Sequence, residues 1–336
     1  MKTKMKTKKR KGLKAFIIIA ALLAAIITAN CLSASYRSDP ENFIYHQHTN
    51  PFISSDGSTQ ISAHRCGGGI APEESMAAFK NCIESPNFNV DVFEFDLHIT
   101  KDNVLVLLHD DTLDRTTDSK EVFGVSKARP ENYTYEELRQ LNIGAHFINN
   151  DDEMPYADLS GDDVPDELRI VRLENVLDYL ESQGSFDYII ELKNGGELGK
   201  KGVDILYSVL KERGLLEHTV FGTFQGEISR YVDETYPDMN RSASIREVIT
   251  FYGYALTNKK DIAVPYKALQ VPYNMPYRLI VNLGTTKVIN YAHEHDIAVQ
   301  YWTINEPKEL SYLSSIGADC IMTDYPDELY IIANQQ

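Results

Sequence analysis

The chain alternates short apolar runs with longer segments in which apolar positions recur every three or four residues, the pattern of a parallel α/β fold. Strand-like runs fall at 60–66, 90–97, 104–109, 186–193, 219–224, 241–245, 268–271, 297–303 and 320–323. Helical runs follow most of them, among them 73–83, 174–183, 200–212, 285–295 and 307–316. A (β/α)8 barrel is the economical architecture for that order. The alternation breaks at 118–169, where one helical signal at 135–141 precedes an acidic stretch containing Gly and Pro. This segment reads as an insertion whose Asp and Glu residues match no cation loop and form a solvated surface.

The barrel pattern occupies 60–333, and two segments precede it. The first 14 residues carry eight Lys or Arg and no acid; an apolar run at 15–29 and the small residues Ser33, Ala34 and Ser35 follow. Residues 1–35 are therefore expected to be a secretory signal peptide or an uncleaved signal anchor, the run being somewhat short for a membrane span of roughly 20 residues. Either fate exports the protein, free outside the cell or held on the outer face of its membrane through 15–29. Residues 36–59, rich in Ser, Asp, Asn and His, read as a linker.

Charge narrows the partners. Removing the eight leader cations from a net charge of −16 leaves −24 on the remaining chain. Such a surface repels polyanions, which excludes nucleic acid as a partner and argues against broad docking on anionic lipid. The four cysteines, at 31, 66, 82 and 320, lack metal-site spacing. Cys66 reads as a small residue packed at a strand end, with a bridge to Cys82 or Cys320 open to an exported protein.

The chemistry gathers at strand ends. In VFEFDL at 92–97, a period of two puts Glu94 and Asp96 on one face and Phe93, Phe95 and Leu97 on the other. In a barrel the aromatic face packs under the helices, and the two carboxylates point inward, where like charges are costly unless a cation neutralises them. YIIELK at 188–193 repeats the arrangement: Glu191 can complete an oxygen-rich site while Lys193 faces a substrate phosphate. Hard oxygen ligands favour Mg²⁺ or Ca²⁺. His64 and His109 each end a strand-like run and suggest an acid and base pair. Arg65 can grip phosphate oxygens, although strand parity sets it opposite His64 unless the chain turns at the strand end, which the glycines at 67–69 permit. Arg115 reads as a structural partner of Asp110 or Asp111, and His98 as a packed histidine.

From 64 to 327 the chain carries HR, PEES, EFD, HDDTLDRTT, TYEELRQL, IIELK, YWTIN and TDYPD in order. This series resembles the glycerophosphodiester phosphodiesterase family. The resemblance implies a TIM barrel with a small insertion and hydrolysis of small glycerophosphodiesters to sn-glycerol 3-phosphate and an alcohol. It also implies His64 and His109 as the acid and base pair, Glu94, Asp96 and Glu191 as ligands of a divalent cation, and Arg65 and Lys193 as phosphate contacts. Trp302 is expected either to wall the glycerol or to pack in the core. Where the family usually has Gly, Asn-Thr and Ser-Phe, this chain has Cys66, Glu74-Ser75 and Thr223-Phe224, and Glu74 on the first loop is expected to add negative charge near the phosphate. Two rivals stand beside this expectation: a lysophospholipase D or sphingomyelinase D type of enzyme, which an apolar barrel rim would favour, and a noncatalytic barrel that binds envelope phosphates without turning them over. A polymeric glycerophosphate of a cell envelope is a further substrate candidate.

Overall fold

The computed structural model describes residues 28, 31–54, 56–273 and 277–334. Most of the expected signal at 1–35, namely residues 1–27, 29 and 30 and with them nearly all of the apolar run at 15–29, lies outside the described residues. Among those described, no helix is long and apolar enough to cross a membrane.

Eight strands form among the described residues: β1 Gln60–Ala63, β2 Val92–Ile99, β3 Leu105–Leu107, β4 Asp187–Leu192, β5 Thr219–Gly222, β6 Ala268–Pro272, β7 Ala298–Trp302 and β8 Cys320–Thr323. Seven of them run parallel in the order β5-β4-β2-β1-β8-β7-β6. The gap between β5 and β6 is spanned by Arg241 and Ser242, which bridge in parallel to Phe221 and Ala268. Ser242 N–H donates to the Phe221 carbonyl, and Lys267 N–H donates to the Arg241 carbonyl, each at 2.9 Å. The run expected at 241–245 is thus a two-residue stave. It ends early because Ser244 and Glu247 form a capping box that starts the helix Ile245–Thr257.

The run at 104–109 does not enter the barrel as a parallel strand. β3 turns back and pairs antiparallel with the end of β2, His98 opposite Val106. A parallel return needs a crossover of a dozen or more residues, and the few residues between β2 and β3 allow only a hairpin. Beyond it, Leu138, Leu141 and Ile143 of the insertion share a small core with Val106, Leu108, Leu113 and Ile170.

Side-chain parity is as the strand pattern requires. Phe93, Phe95 and Leu97 pack outward against the helices, while Val92, Ile189, Val220, Ala268, Ala298, Cys320 and Met322 face one another inside the barrel. Most of these inward residues stand at the starts of their strands, and Phe52 and Ile53 join them, sealing that end. The polar segment read as a linker is therefore a strap. Thr49 and Asn50 N–H groups donate to Asp296 Oδ1 at 2.8 and 3.0 Å, and the Asn50 amide donates to the Lys267 and Asp296 carbonyls. With its amino end plugged, the barrel is open at the carboxyl ends of its strands, where sites of this fold are built. All four cysteines are free thiols, so no bridge joins Cys66 to Cys82 or Cys320.

Candidate active site

The parity conflict between His64 and Arg65 is resolved by backbone strain. Arg65, Cys66 and Gly67 adopt successive left-handed conformations, with φ of 48°, 65° and 84°, at a cost for non-glycine residues of about 1–2 kcal/mol each. The turn thus starts two residues earlier than the glycines suggested. It brings the Arg65 N–H to Glu94 Oε2 at 2.7 Å and its guanidinium to Glu73 at 3.2 Å and Asp96 at 4.0 Å. Gly69 serves closeness: a Cβ there would lie 2.6 Å from the Tyr325 ring.

His64 Nδ1 lies 2.6 Å from Asp324 Oδ1, and Nε2 lies 3.2 Å from Thr303 Oγ1 and 4.0 Å from Glu94 Oε2. Asp324 is held in turn by the Asn305 amide, which donates at 2.6 Å. Burial opposes a charge on the ring, but Glu94 and Asp324 outweigh it and raise its pKa above the ordinary value. His109 has the same local orientation, with Nδ1 2.7 Å from Asp110 Oδ1. Burial there lowers the pKa, Lys193 and Arg65 adding to the effect against the pull of Asp96. Each imidazole therefore has a carboxylate fixing one nitrogen, which leaves Nε2 for work.

Glu94, Asp96, Glu191 and Lys193 share the inner face, with Asp96 and Glu191 in direct register between β2 and β4. Burial and the neighbouring Asp96 push both Glu94 and Glu191 up to about 7. Asp96 is lowered despite its burial, chiefly by Lys193 and His109. The Lys193 ammonium stands 2.7 Å from Asp96 Oδ1 and 3.0 Å from Glu191 Oε1, and both carboxylates raise its pKa against the cost of burial.

A hard divalent cation fits this donor set. Asp96 Oδ1 and Oδ2 and Glu191 Oε1 are buried; Lys193 meets Asp96 Oδ1 and Glu191 Oε1 as an ion pair, and Asp96 Oδ2 lies 4.0 Å from the Arg65 guanidinium. Among the described residues, no three Asp, Glu, His or Cys side chains close on one point as they stand. The ammonium between Asp96 and Glu191 holds the carboxylates in their present positions.

Sequence reasoning missed the partners that aim these groups. Arg115 forks between Glu73, at 2.6 and 2.9 Å, and Asp110, at 2.7 and 3.0 Å. It therefore ties the loop bearing Arg65 to the one bearing His109; the expected pairing with Asp110 forms, and Glu73 is the addition. Asp324, Thr303 and Asn305 come from the TDYPD and YWTIN motifs. Glu74 is a correction. It is wholly buried, and its left-handed backbone (φ 58°) turns the side chain behind the site, where Oε1 accepts from Asp96 N–H at 3.0 Å. Its carboxyl, pushed well above the ordinary range by burial and by Asp96 and Glu94, adds no exposed charge beside a phosphate. Cys66 is buried too. His98 is enclosed near the β2–β3 hairpin, where burial pushes its pKa down to about 4 and keeps it neutral.

These groups floor a cavity of about 510 Å³, and His64, Arg65, Glu94, Asp96, His109, Glu191, Lys193 and Trp302 all line it. Trp302 walls it with Phe224, edge to face at 5.9 Å, and with Tyr277 at 6.5 Å.

Residues 64–328 match the model of the glycerophosphoryl diester phosphodiesterase family. The chain is 28% identical over 271 residues to a glycerophosphodiester phosphodiesterase of Bacillus altitudinis, covering 80% of this chain and 96% of that protein. It is 26% identical to a mouse lysophospholipase D, covering 80% and 83% of the two. The fold superposes with a TM-score of 0.58, at 18% identity and covering 83% of this chain and 98% of the other, on an Oleispira antarctica phosphodiesterase solved with the product sn-glycerol-3-phosphate.

Proposed function

Because the chain belongs to the glycerophosphoryl diester phosphodiesterase family, we propose that this phosphoric diester hydrolase cleaves glycerophosphodiesters to sn-glycerol 3-phosphate and an alcohol at the cavity between His64 and His109. The observation that carries this reading is the convergence of two carboxylate-oriented imidazoles, two cations and three buried carboxylates in one cavity. Named relatives and the product held by the Oleispira enzyme support it.

The division of labour follows from atoms. Arg65 and Lys193 line the cavity where phosphate oxygens must sit, and the guanidinium offers a planar fork to two of them. Of the two imidazoles, one takes a proton from the attacking water and the other gives one to the departing alkoxide, each through Nε2. Asp324 and Asp110 hold the opposite nitrogens and so set ring orientation. Glu94, Asp96 and Glu191 would hold Mg²⁺ or Ca²⁺, which supplies charge stabilisation at the phosphoryl oxygens and lowers the pKa of the attacking water.

The test is release of glycerol 3-phosphate from glycerophosphocholine by the purified protein in EDTA, Mg²⁺ or Ca²⁺, beside a His109→Ala control. Metal-dependent release that disappears in the control is expected; phosphate binding without turnover of any diester would leave the noncatalytic barrel standing. Export rests on the composition of residues 1–35 and is tested by locating the full-length chain in cell fractions.

A further inference from the structure

One stretch of chain serves two masters. Tyr277, Val281 and Leu283 line the cavity, and the residues between them bind the segment that follows the leader. The Asn282 amide donates to the Ser33 carbonyl at 2.7 Å and to the Tyr36 carbonyl at 2.9 Å, and the Arg278 guanidinium donates to the Ala34 carbonyl. Arg37 pairs with Glu309 at 2.7 Å, and Ser38 N–H donates to the Tyr312 hydroxyl at 2.8 Å. Ala34, Arg278 and Asn282 are all buried. Buried polar groups need partners, so residues 33–38 complete the folded domain. A chain cut after Ser35 would leave Arg278 without the Ala34 carbonyl and Asn282 without that of Ser33. The apolar run at 15–29 ends four residues before Ser33, and the reach of an extended chain keeps its end within roughly 14 Å of that residue.

The rim that this segment brings the leader to is apolar and uncovered. Phe224, Ile245, Ile249 and Tyr277 line the cavity, yet they are 56%, 60%, 64% and 46% exposed. Leu32 and Tyr36, on either side of the tie to Arg278, are 66% and 57% exposed. Exposed apolar surface grouped in this way marks an interaction site. Its charge also departs from that of the chain, which carries −24 outside the leader. Residues 245–260 hold Arg246, Lys259 and Lys260 against a single acid, Glu247, and both Glu247 oxygens are taken by Arg241 at 2.9 Å. Phosphate headgroups would meet no free carboxylate on that stretch.

We propose that the barrel mouth docks on the bilayer that holds the leader. The apolar run at 15–29 stays attached and inserts, residues 33–38 hold the domain beside it, and Phe224, Ile245, Ile249 and Tyr277 rest among the headgroups, where apolar and aromatic side chains gain from burial. The inference rests on the export reading of the leader and concerns orientation, so it stands whichever diester is cleaved. Docking on this rim leaves the site wet. A second, polar cavity of about 560 Å³ shares His64, Arg65 and Thr303 with the first, and Glu73, Asn149 and Asp152 line it too.

Trp302 is the only tryptophan, and its ring meets Phe224 and Tyr277, so its emission reports on the rim. The experiment reconstitutes the full chain into phosphatidylcholine vesicles with and without bromine on the acyl chains, beside an Ile245→Asn, Ile249→Asn variant whose melting is checked. Both positions are exposed, so the fold should survive. Brominated lipid should remove about half of the Trp302 emission, as for an indole at the membrane interface, and the variant should lose most of that quenching while staying on the vesicles. A vesicle-bound chain whose Trp302 is not quenched overturns the docking and spares the export reading. Quenching unmoved by the variant overturns it as well, and so does a dimer on the vesicles that the variant dissociates with Trp302 unquenched throughout, which would assign the rim to a second copy. An exported chain whose amino terminus is Tyr36 removes the retained anchor and the proposal with it. A full-length chain confined to the soluble fraction of the cell interior sinks the export reading too.

Discussion

The barrel mouth has two unlike halves. On the side of β8, β1, β2 and β4, the ionisable groups are held by partners: His64 by Asp324, His109 by Asp110, Asp96 by Lys193, Glu73 by Arg115 and Glu94 by the Arg65 N–H. On the side of β5, the stave at 241–242, β6 and β7, the lining is Phe224, Ile245, Ile249, Val271 and Trp302, with no charge among them. Charged groups act through position, because a preset dipole stabilises developing charge only if it does not have to move. Apolar groups act through area, which is additive and forgiving. Single substitutions should therefore be catastrophic in one half and graded in the other.

The largest effect should come from His109→Ala. Losing a proton-transfer group costs typically 10²–10⁴-fold in kcat, and KM for glycerophosphocholine should stay within a few-fold. Steady-state kinetics decide it, and a loss under tenfold would move His109 out of the chemistry and blunt the contrast between the halves.

The backbone frame of the apolar half should answer in stability instead of rate. Arg241, almost wholly buried in the two-residue stave, makes paired contacts with Asp233 (2.6 and 2.7 Å) and Glu247 (2.9 Å each). Removing one partner of a buried ion pair costs 3–5 kcal/mol, and Arg241→Met should fall near 3, about the lower end, because Asp233 and Glu247 keep partial access to water. A urea titration measures it. Glu247 adds a pH signature: burial opposes its charge, but Arg241 and Ser244 outweigh burial and hold its pKa below the ordinary value. A carboxyl lowered on folding contributes stability above the unfolded pKa of about 4.3 and loses it as pH falls through the lower folded value. The wild-type protein should show that acid loss more steeply than Arg241→Met.

A smaller effect is expected at Asp324→Asn, which touches no phosphate contact but orients His64. The amide keeps the shape and removes the charge that, with Glu94, raises the imidazole. The pKa of His64 followed by NMR should drop, and kcat should fall about tenfold, the equivalent of roughly 1.4 kcal/mol. An unchanged titration would show that Asp324 serves only to brace the loop.

These contrasts also explain what was legible in the sequence. Glu94, Asp96, Glu191 and Lys193 could be placed on one face because a period of two is rigid within a strand. Groups positioned by a turn were not legible in that way: Glu74 looked like a loop charge until its left-handed backbone sent it behind Asp96. Arg115 and Glu73 lie 42 positions apart, and no local pattern reports such a pair. The run at 104–109 has strand character, and only the shortness of its connection to β2 tells a hairpin from a barrel stave. On the apolar side, IREVITFYGYALT carries apolar residues around much of its circumference, so nothing in it marks Phe251 as core and Ile249 as surface. Chemistry is thus written into strand ends, whereas an apolar rim becomes visible only when the barrel has chosen which helix face to cover.

Trp302 sharpens the boundary with the smallest expected effect. Its neighbour Thr303 meets His64, yet its own ring contacts Phe224 and Tyr277. If it belongs to the apolar half, it binds ground state and transition state alike, and such uniform binding appears in KM and leaves kcat in place. An aromatic contact is worth about 0.5–1.5 kcal/mol beyond its area, so Trp302→Leu should raise KM for glycerophosphocholine severalfold with little change in kcat, and Trp302→Phe should recover part of the loss. A fall in kcat with KM unmoved would mean that the indole holds Thr303 and His64 in line, and the boundary between the two halves would then run on the other side of β7.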